Sequence, residues 1–354
     1  MHTPYTSWPV RTALIAGSLA VTLVLLELGC RLARGPQALL DWSNIILKER
    51  IETWQQTDGP MVHDATLGFV PRKGYSRDGR GYDGNGFRQA PSGEALPLAE
   101  PPVLVLGDSI AHGDELRDVE AWPTQLQILL RRRVVNAAAT AYGLDQIVLR
   151  AEAVAQQVMP AAMVVSFAAD DLRRAEMARV WGVPKPWFKL VGDGKLELRN
   201  VPVPPAPKPE DTLDVWHRLF GWSVALDMFL RHQGWQYEWS IDHARVQPRG
   251  EGERLACPLM KRIAAIGVPT LVVAEYNRWV FQDREHMLET RRQTALVLKC
   301  AAEAGLQTLD DYDAIERGVK AKGIDGIFRT SHLGPEGARL TAEGIAGEVR
   351  KIVP

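Results

Sequence analysis

An apolar run that breaks sharply into small and polar residues constrains this chain more than any other feature. Val103, Leu104, Val105 and Leu106 lead directly into Gly107, Asp108 and Ser109. A short apolar run bounded by glycine reads as a buried strand. Open α/β sheets bind ligands in the crevice beyond the carboxyl ends of such strands. A serine placed there is held exposed among backbone N–H donors, which is the position of a nucleophile. Gly-Asp-Ser is also ordinary turn chemistry. The tripeptide alone leaves turn and nucleophile both open.

The chain around this strand keeps a rhythm. Strand-like segments recur at 103–106, 133–136, 163–167, 269–276 and 306–309, those at 103–106 and 163–167 as apolar runs. Helical patterns occupy 122–132, 145–157, 254–267 and 282–304, and a last helix follows at 338–352. Such alternation predicts an α/β fold, a central parallel sheet with helices on both faces. Residues 172–250 break the rhythm. Pro202, Pro204, Pro205, Pro207 and Pro209 mark turns, and Trp216, Trp222, Trp235 and Trp239 follow. Residues 213–231 have helical spacing. The stretch is expected to be a helical, Trp-rich insertion that caps the catalytic edge of the sheet. Its tryptophans suit core packing or membrane-interface contact, with a sugar platform as the alternative.

The amino terminus is the other constraint. From Thr12 to Leu28 the only charged residue is Glu27. About 17 residues at 1.5 Å rise reach the short end of a membrane span. An uncleaved signal anchor is expected, with a cleaved signal peptide as the competing reading. Cys30 after Gly29 resembles a lipoprotein cleavage site, but Glu27 sits where such sites want an apolar residue. A buried soluble helix fits poorly, because no polar face interrupts the run. Arg11 precedes the span and Arg31, Arg34 and Lys48 follow it, so basic residues alone would permit a cytoplasmic main domain. The 354 residues then divide into an anchor at 1–35, a lead-in segment at 36–102 and a main domain at 103–354 carrying the insertion. A formal net charge of −1 gives no electrostatic case for nucleic acid. No metal and no cofactor is expected. Cys257 and Cys300 can pair in an oxidising compartment. The residues themselves favour two buried thiols.

Two segments carry a family resemblance. After Ser109 come His112-Gly113-Asp114-Glu115 and then Glu120-Ala121-Trp122-Pro123. Far downstream, Ser331-His332-Leu333-Gly334-Pro335-Glu336-Gly337 introduces the last helix. They resemble the first and last motifs of the GDSL/SGNH hydrolase superfamily, especially its membrane-anchored bacterial members. Asp83-Gly84-Asn85-Gly86-Phe87-Arg88 resembles the lead-in of those proteins. The resemblance implies a three-layer SGNH (flavodoxin-like) fold with the large domain outside the cytoplasm. It makes Ser109 the nucleophile and His332 the base. His112 is a rival base, at a position that varies in the family.

The sequence departs from that pattern in three places. Many members carry an acid two or three residues before the histidine, where this chain has Thr330 and Arg329. Asp325 is the nearest upstream acid and the candidate third member. Asp310, Asp311 and Asp313 are weaker candidates, and a Ser–His dyad is the alternative. The oxyanion hole is expected from Ser109, Ala141 and Asp170. Ala141 replaces a glycine, which is tolerable if its φ is negative. Asp170 replaces an asparagine, and an ionised carboxylate cannot donate a hydrogen bond. Losing one such donor costs about 100- to 1,000-fold in rate. Asp170 is then protonated, or other donors serve, or the chain is weakly active or inactive.

The expected protein is an inner-membrane serine acyl-transfer enzyme with a periplasmic domain, either an acetyl esterase or an O-acetyltransferase. Its substrate would be a carbohydrate or cell-envelope polymer, and the resemblance adds a membrane acyl-donor protein as a candidate partner for transfer. The alternative from another class is a catalytically impaired SGNH-fold scaffold in an envelope or polysaccharide complex. A lipid-active esterase using tryptophans at the membrane surface is a third.

Overall fold

The computed structural model describes residues 8–53, 59–91, 99–180, 183–192, 194–233, 235, 239 and 250–353. The chain forms two compact units. One comprises Met1–Trp54 and Pro207–Gln247, the other Gln55–Ala206 and Pro248–Pro354. These boundaries differ from the expected ones. The lead-in divides between the units after Trp54, and the insertion divides at Pro207. Part of the expected lead-in at 36–102 lies outside the described residues.

The larger unit is built on five parallel strands: β1 (Ala99–Leu106), β2 (Arg132–Asn136), β3 (Ala162–Phe167), β4 (Thr270–Ala274) and β5 (Gln307–Asp310). Their spatial order is β5-β4-β3-β1-β2. This is the doubly wound, flavodoxin-like order, whose direction reverses between β1 and β3. Val103 to Leu106 are fully buried, as an apolar run buried on both faces requires. Alternation sends Val103 and Val105 to one layer, where Trp122, Leu126, Ala338, Ala342 and Ile345 pack on them. Leu104 and Leu106 enter the other layer with Ile147, Ala151, Leu259, Ile263 and Val297.

The helices follow from their spacing. In Pro335–Ile352 the buried positions Ala338, Thr341, Ala342, Ile345, Ala346 and Val349 make one stripe. Pro335 suits the first turn, where a missing N–H costs nothing. Helices Glu251–Ala265 and Arg284–Glu303 are joined by a Cys257–Cys300 disulfide. This corrects the expectation of two buried thiols. Sequence could not supply the pairing, because it depends on the Cα–Cα separation, here 4.6 Å. Closing a loop of 43 residues removes denatured-state entropy worth about 4 kcal/mol. Reduction, or Cys257→Ala with Cys300→Ala, should therefore lower unfolding free energy by about 2–4 kcal/mol in a denaturant titration. Identical midpoints with and without reductant would discount the bond.

The smaller unit holds helix Trp8–Arg34, 27 residues with a mean hydropathy of 2.1 over its most apolar window. By length and composition it can cross a membrane. The helical pattern at 213–231 resolves into two helices, Val215–Phe220 and Val224–His232. Ser223 caps the second, its Oγ accepting from the Leu226 amide at 3.1 Å. Apolar spacing alone does not register such a break.

Candidate active site

The site starts where β1 ends. Gly107 must be small, since a Cβ there would meet Ser166 Oγ at 2.6 Å and the Ala111 Cβ at 2.7 Å. Asp108 is buried and caps the short helix Ser109–His112, accepting the Ile110 N–H at 2.8 Å. Gly113, at φ 84°, ends it in the left-handed region. Ser109 thus sits in a first helical turn, whose N–H groups have no partner within the helix.

His332 arrives from the loop before the last helix. That loop is tied by the Arg329 amide to the His332 carbonyl at 2.9 Å and by the Gly334 amide to the Ile327 carbonyl at 2.7 Å. Ser109 Oγ and His332 Nε2 lie 2.8 Å apart. On the far side of the ring, His332 Nδ1 lies 3.1 Å from Glu115 Oε1 and 2.9 Å from Ser331 Oγ. A carboxylate only accepts, so Nδ1 carries the proton and the Nε2 lone pair faces the serine hydroxyl.

Glu115 therefore occupies the place expected for Asp325. Asp325 is instead paired with Arg278 at 2.6 Å, its side chain 85% exposed. Asp310 accepts from the Tyr276 hydroxyl at 2.7 Å, and Asp311 accepts from the Thr341 hydroxyl. Glu115 also accepts from the Thr330 amide at 2.9 Å and the Ser331 hydroxyl at 3.0 Å. Burial pushes its carboxyl up, but His332, Ser331 and Thr330 outweigh that and hold it below the usual range. Its φ of 66° is rare for a non-glycine residue. Such backbone costs about 1–3 kcal/mol and clusters at functional sites. The only sequence signal was the acidic pair after Gly113; reading upstream from His332 missed it.

The lead-in segment shapes the turn that presents Glu115. Arg88 is buried and pairs with Asp118 at 2.8 Å. Its guanidinium also donates to the carbonyls of His112, Gly113 and Leu116 at 2.5, 2.6 and 2.6 Å. Arg88→Met leaves Asp118 buried and unpaired, so it should cost about 3–5 kcal/mol in unfolding free energy. A chemical-denaturation midpoint like that of the wild type would contradict this role.

The rival base has other partners. His112 Nδ1 contacts Asp114 Oδ1 at 2.5 Å and its Nε2 contacts the Tyr82 hydroxyl at 2.9 Å. Asp114, pushed up by burial but pulled down further by His112, comes to about 2.

The oxyanion side is less regular. Ala141 has φ 63°, so the condition of a negative φ is not met. A left-handed alanine costs about 1–2 kcal/mol. Among the described residues, the N–H groups of Ala137, Ala138, Ala139, Tyr142 and Gly143 are taken within the chain, whereas those of Thr140 and Ala141 have no acceptor. Asp170 is clasped by Arg173 at 2.7 Å and Arg174 at 2.6 Å. Burial raises its carboxyl, but Arg174 and Arg173 more than offset this and lower it. Of the three readings of Asp170, protonation is thereby removed. The i,i+3 and i,i+4 spacing of these arginines was visible in the sequence. Arg174 also lies 3.7 Å from Asp108, so cationic charge stands beside the serine turn.

One buried acid behind the site is a separate case. Glu275 is buried, and its Oε2 accepts the Ser166 hydroxyl at 2.5 Å. Burial above all, with repulsion from Asp108, pushes the Glu275 carboxyl well above its usual value. The folded state then keeps a proton that the unfolded chain releases near the ordinary 4.5, so stability falls as pH rises through that window. Glu275→Gln has no such proton to lose. Its melting temperature should gain on the wild type from about pH 5 to pH 8. Parallel pH–stability curves would refute the buried neutral acid.

Neither a family model nor a curated protein matches this chain. Solved structures similar to it include a catalytic mutant of an acetylxylan esterase from Geobacillus stearothermophilus, at 12% identity and TM-score 0.43, covering 72% of this chain and 96% of that one. A psychrotrophic esterase from Pseudoalteromonas sp. is similar at 11% identity and TM-score 0.40, over 71% and 98%. The protein TesA is similar at 14% identity and TM-score 0.42, over 71% and 99%. The likenesses are distant.

Proposed function

We propose that this SGNH-fold chain is a membrane-anchored serine acyl-transfer enzyme that removes or relays an acyl group, most simply acetyl, on a carbohydrate or cell-envelope polymer. The observation that carries the reading is the continuous relay from Ser109 Oγ through the His332 ring to the Glu115 carboxylate. As the Ser109 oxygen attacks an ester carbonyl, its proton passes to His332 Nε2. Glu115 stabilises the imidazolium that forms. The same proton then goes to the departing alcohol, leaving Ser109 acylated. Water attacking the acyl-enzyme makes an esterase, and a sugar hydroxyl makes a transferase. In either case His332 takes the acceptor's proton and returns it to Ser109.

The Cys257–Cys300 bond supports an oxidising compartment for this unit, and helix Trp8–Arg34 supports anchoring in the inner membrane with the unit on the periplasmic side. Ser109 and Ala141 remain the candidate oxyanion donors, and Asp170 has no donor role in the proposal. The scaffold alternative drew part of its case from the missing acid before His332, and Glu115 supplies such an acid. A fluorophosphonate probe tests the reading. Stoichiometric labelling at Ser109 of the folded protein is expected, and absence of labelling would favour the scaffold. Acetyl esters should be turned over in preference to long-chain esters. A reversed preference would favour the lipid-active alternative.

A further inference from the structure

The geometry points to a second membrane contact, in which helices Val215–Phe220 and Val224–His232 lie in the bilayer interface beside the span. The inference rests on the anchoring reading above. In Val215–Phe220 the side chains of Trp216, Leu219 and Phe220 are 60%, 54% and 43% exposed. Their spacing, i, i+3 and i+4, puts them on one face. Phe229, on the second helix, is 50% exposed. Trp216 stacks on Phe220 and Phe229 meets Trp235 edge-on, each with ring centroids 6.1 Å apart, so large apolar groups cluster on the exposed sides of these two helices.

The level of that surface follows from the span. About 20 residues, Trp8 to Glu27, at 1.5 Å rise reach about 30 Å, the thickness of the hydrocarbon core. Glu27 thus marks the upper boundary. Its carboxylate accepts from the Ser223 hydroxyl at 2.8 Å and from the Val224 and Ala225 amides at 2.9 and 3.0 Å. The amino end of Val224–His232 is consequently pinned at the height where the span leaves the lipid. One turn further, Arg31 pairs with Glu27 at 2.7 Å, donates to the Trp222 carbonyl at 2.6 Å and stacks on Trp42 at 3.8 Å. Every polar group of this junction is satisfied by a neighbour, as the edge of a low-dielectric layer demands. Amphipathic helices rich in Trp, Phe and Leu settle at that depth, and aromatic side chains collect there. Continuity with the span selects lipid as the occupant of the exposed face.

The test uses the full chain in phospholipid nanodiscs, with Cys30→Ser and single spin labels introduced by Leu219→Cys, Phe229→Cys, Leu19→Cys or Leu288→Cys. Leu19 lies within the span and Leu288 is an exposed site on helix Arg284–Glu303 of the larger unit. Collision rates with oxygen and with a water-soluble nickel complex report depth. Labels at 219 and 229 are expected to show an oxygen-to-nickel ratio severalfold above that at 288, on the same side as 19. A ratio at 219 and 229 equal to that at 288, with 19 in lipid, overturns the interface contact and leaves the anchor standing. Shielding of 219 and 229 from both reagents also overturns it, by showing a protein surface there. An aqueous ratio at 19 removes the anchor itself and the contact with it.

Discussion

Ser109→Ala should reduce hydrolysis of a small acetyl ester by about 10⁴- to 10⁶-fold in kcat, the loss seen when the nucleophile of a serine triad is removed. The residual rate would come from substrate binding and oxyanion contacts alone. The substitution removes one hydroxyl and leaves the turn intact. Asp108 still caps the helix and Gly113 still ends it. Melting temperature should move little, which separates lost chemistry from lost fold. A folded Ser109→Ala protein that turns over the ester at the wild-type rate would end the proposal. Because Ser109 and His332 act as a unit, Ser109→Ala combined with His332→Ala should be no slower than either alone.

The second large effect is expected at Glu115. Glu115→Gln should lower kcat by about 10³- to 10⁴-fold, the scale of losing the acid that holds a triad histidine in its working tautomer. A glutamine amide can donate to Nδ1 and so favour the wrong tautomer, in which Nε2 carries the proton and cannot take one from Ser109. KM should change little, because Glu115 lies behind the ring and touches no substrate in this mechanism. The comparison with Asp325→Ala makes the test specific. Asp325 is exposed and paired with Arg278, so its removal should leave kcat within about twofold, the scale of an exposed ion pair. If Asp325→Ala were the crippling variant and Glu115→Gln the silent one, Asp325 and not Glu115 would be the acid of the triad. Glu115 also accepts the Thr330 amide, so thermal melts of both variants belong beside the kinetics.

Much of the architecture is legible in the sequence. The inner strands β1, β3 and β4 carry apolar runs, because a parallel sheet covered on both faces buries them, whereas the edge strands β2 and β5 stay partly exposed and mixed in composition. The last helix was readable from its stripe of small apolar residues, and the pairing of Ser109 with His332 from two motifs far apart. The acid was harder. Glu115 is close to Ser109 in the chain, yet it reaches His332 only because a left-handed turn, held by Arg88, brings it round. Nothing local in the sequence states that backbone angle. Asp170 misled for the opposite reason. Its charge is settled by Arg173 and Arg174 on the same helix, a spacing available to inspection but masked by the comparison with a family asparagine.

By itself, then, the sequence determined what repeats at short range. Periodicity sets which face of each element is buried, and the glycine-bounded strand end sets where a reactive serine can stand. It also set the apolar length of the amino-terminal helix. Tertiary structure decided the partners: Glu115 for His332, Cys257 for Cys300, and Glu27 for the helix that begins at Val224. Those choices turn on distances of a few ångströms between segments far apart in the chain. Such distances depend on how whole layers pack, and no local pattern of residues carries them.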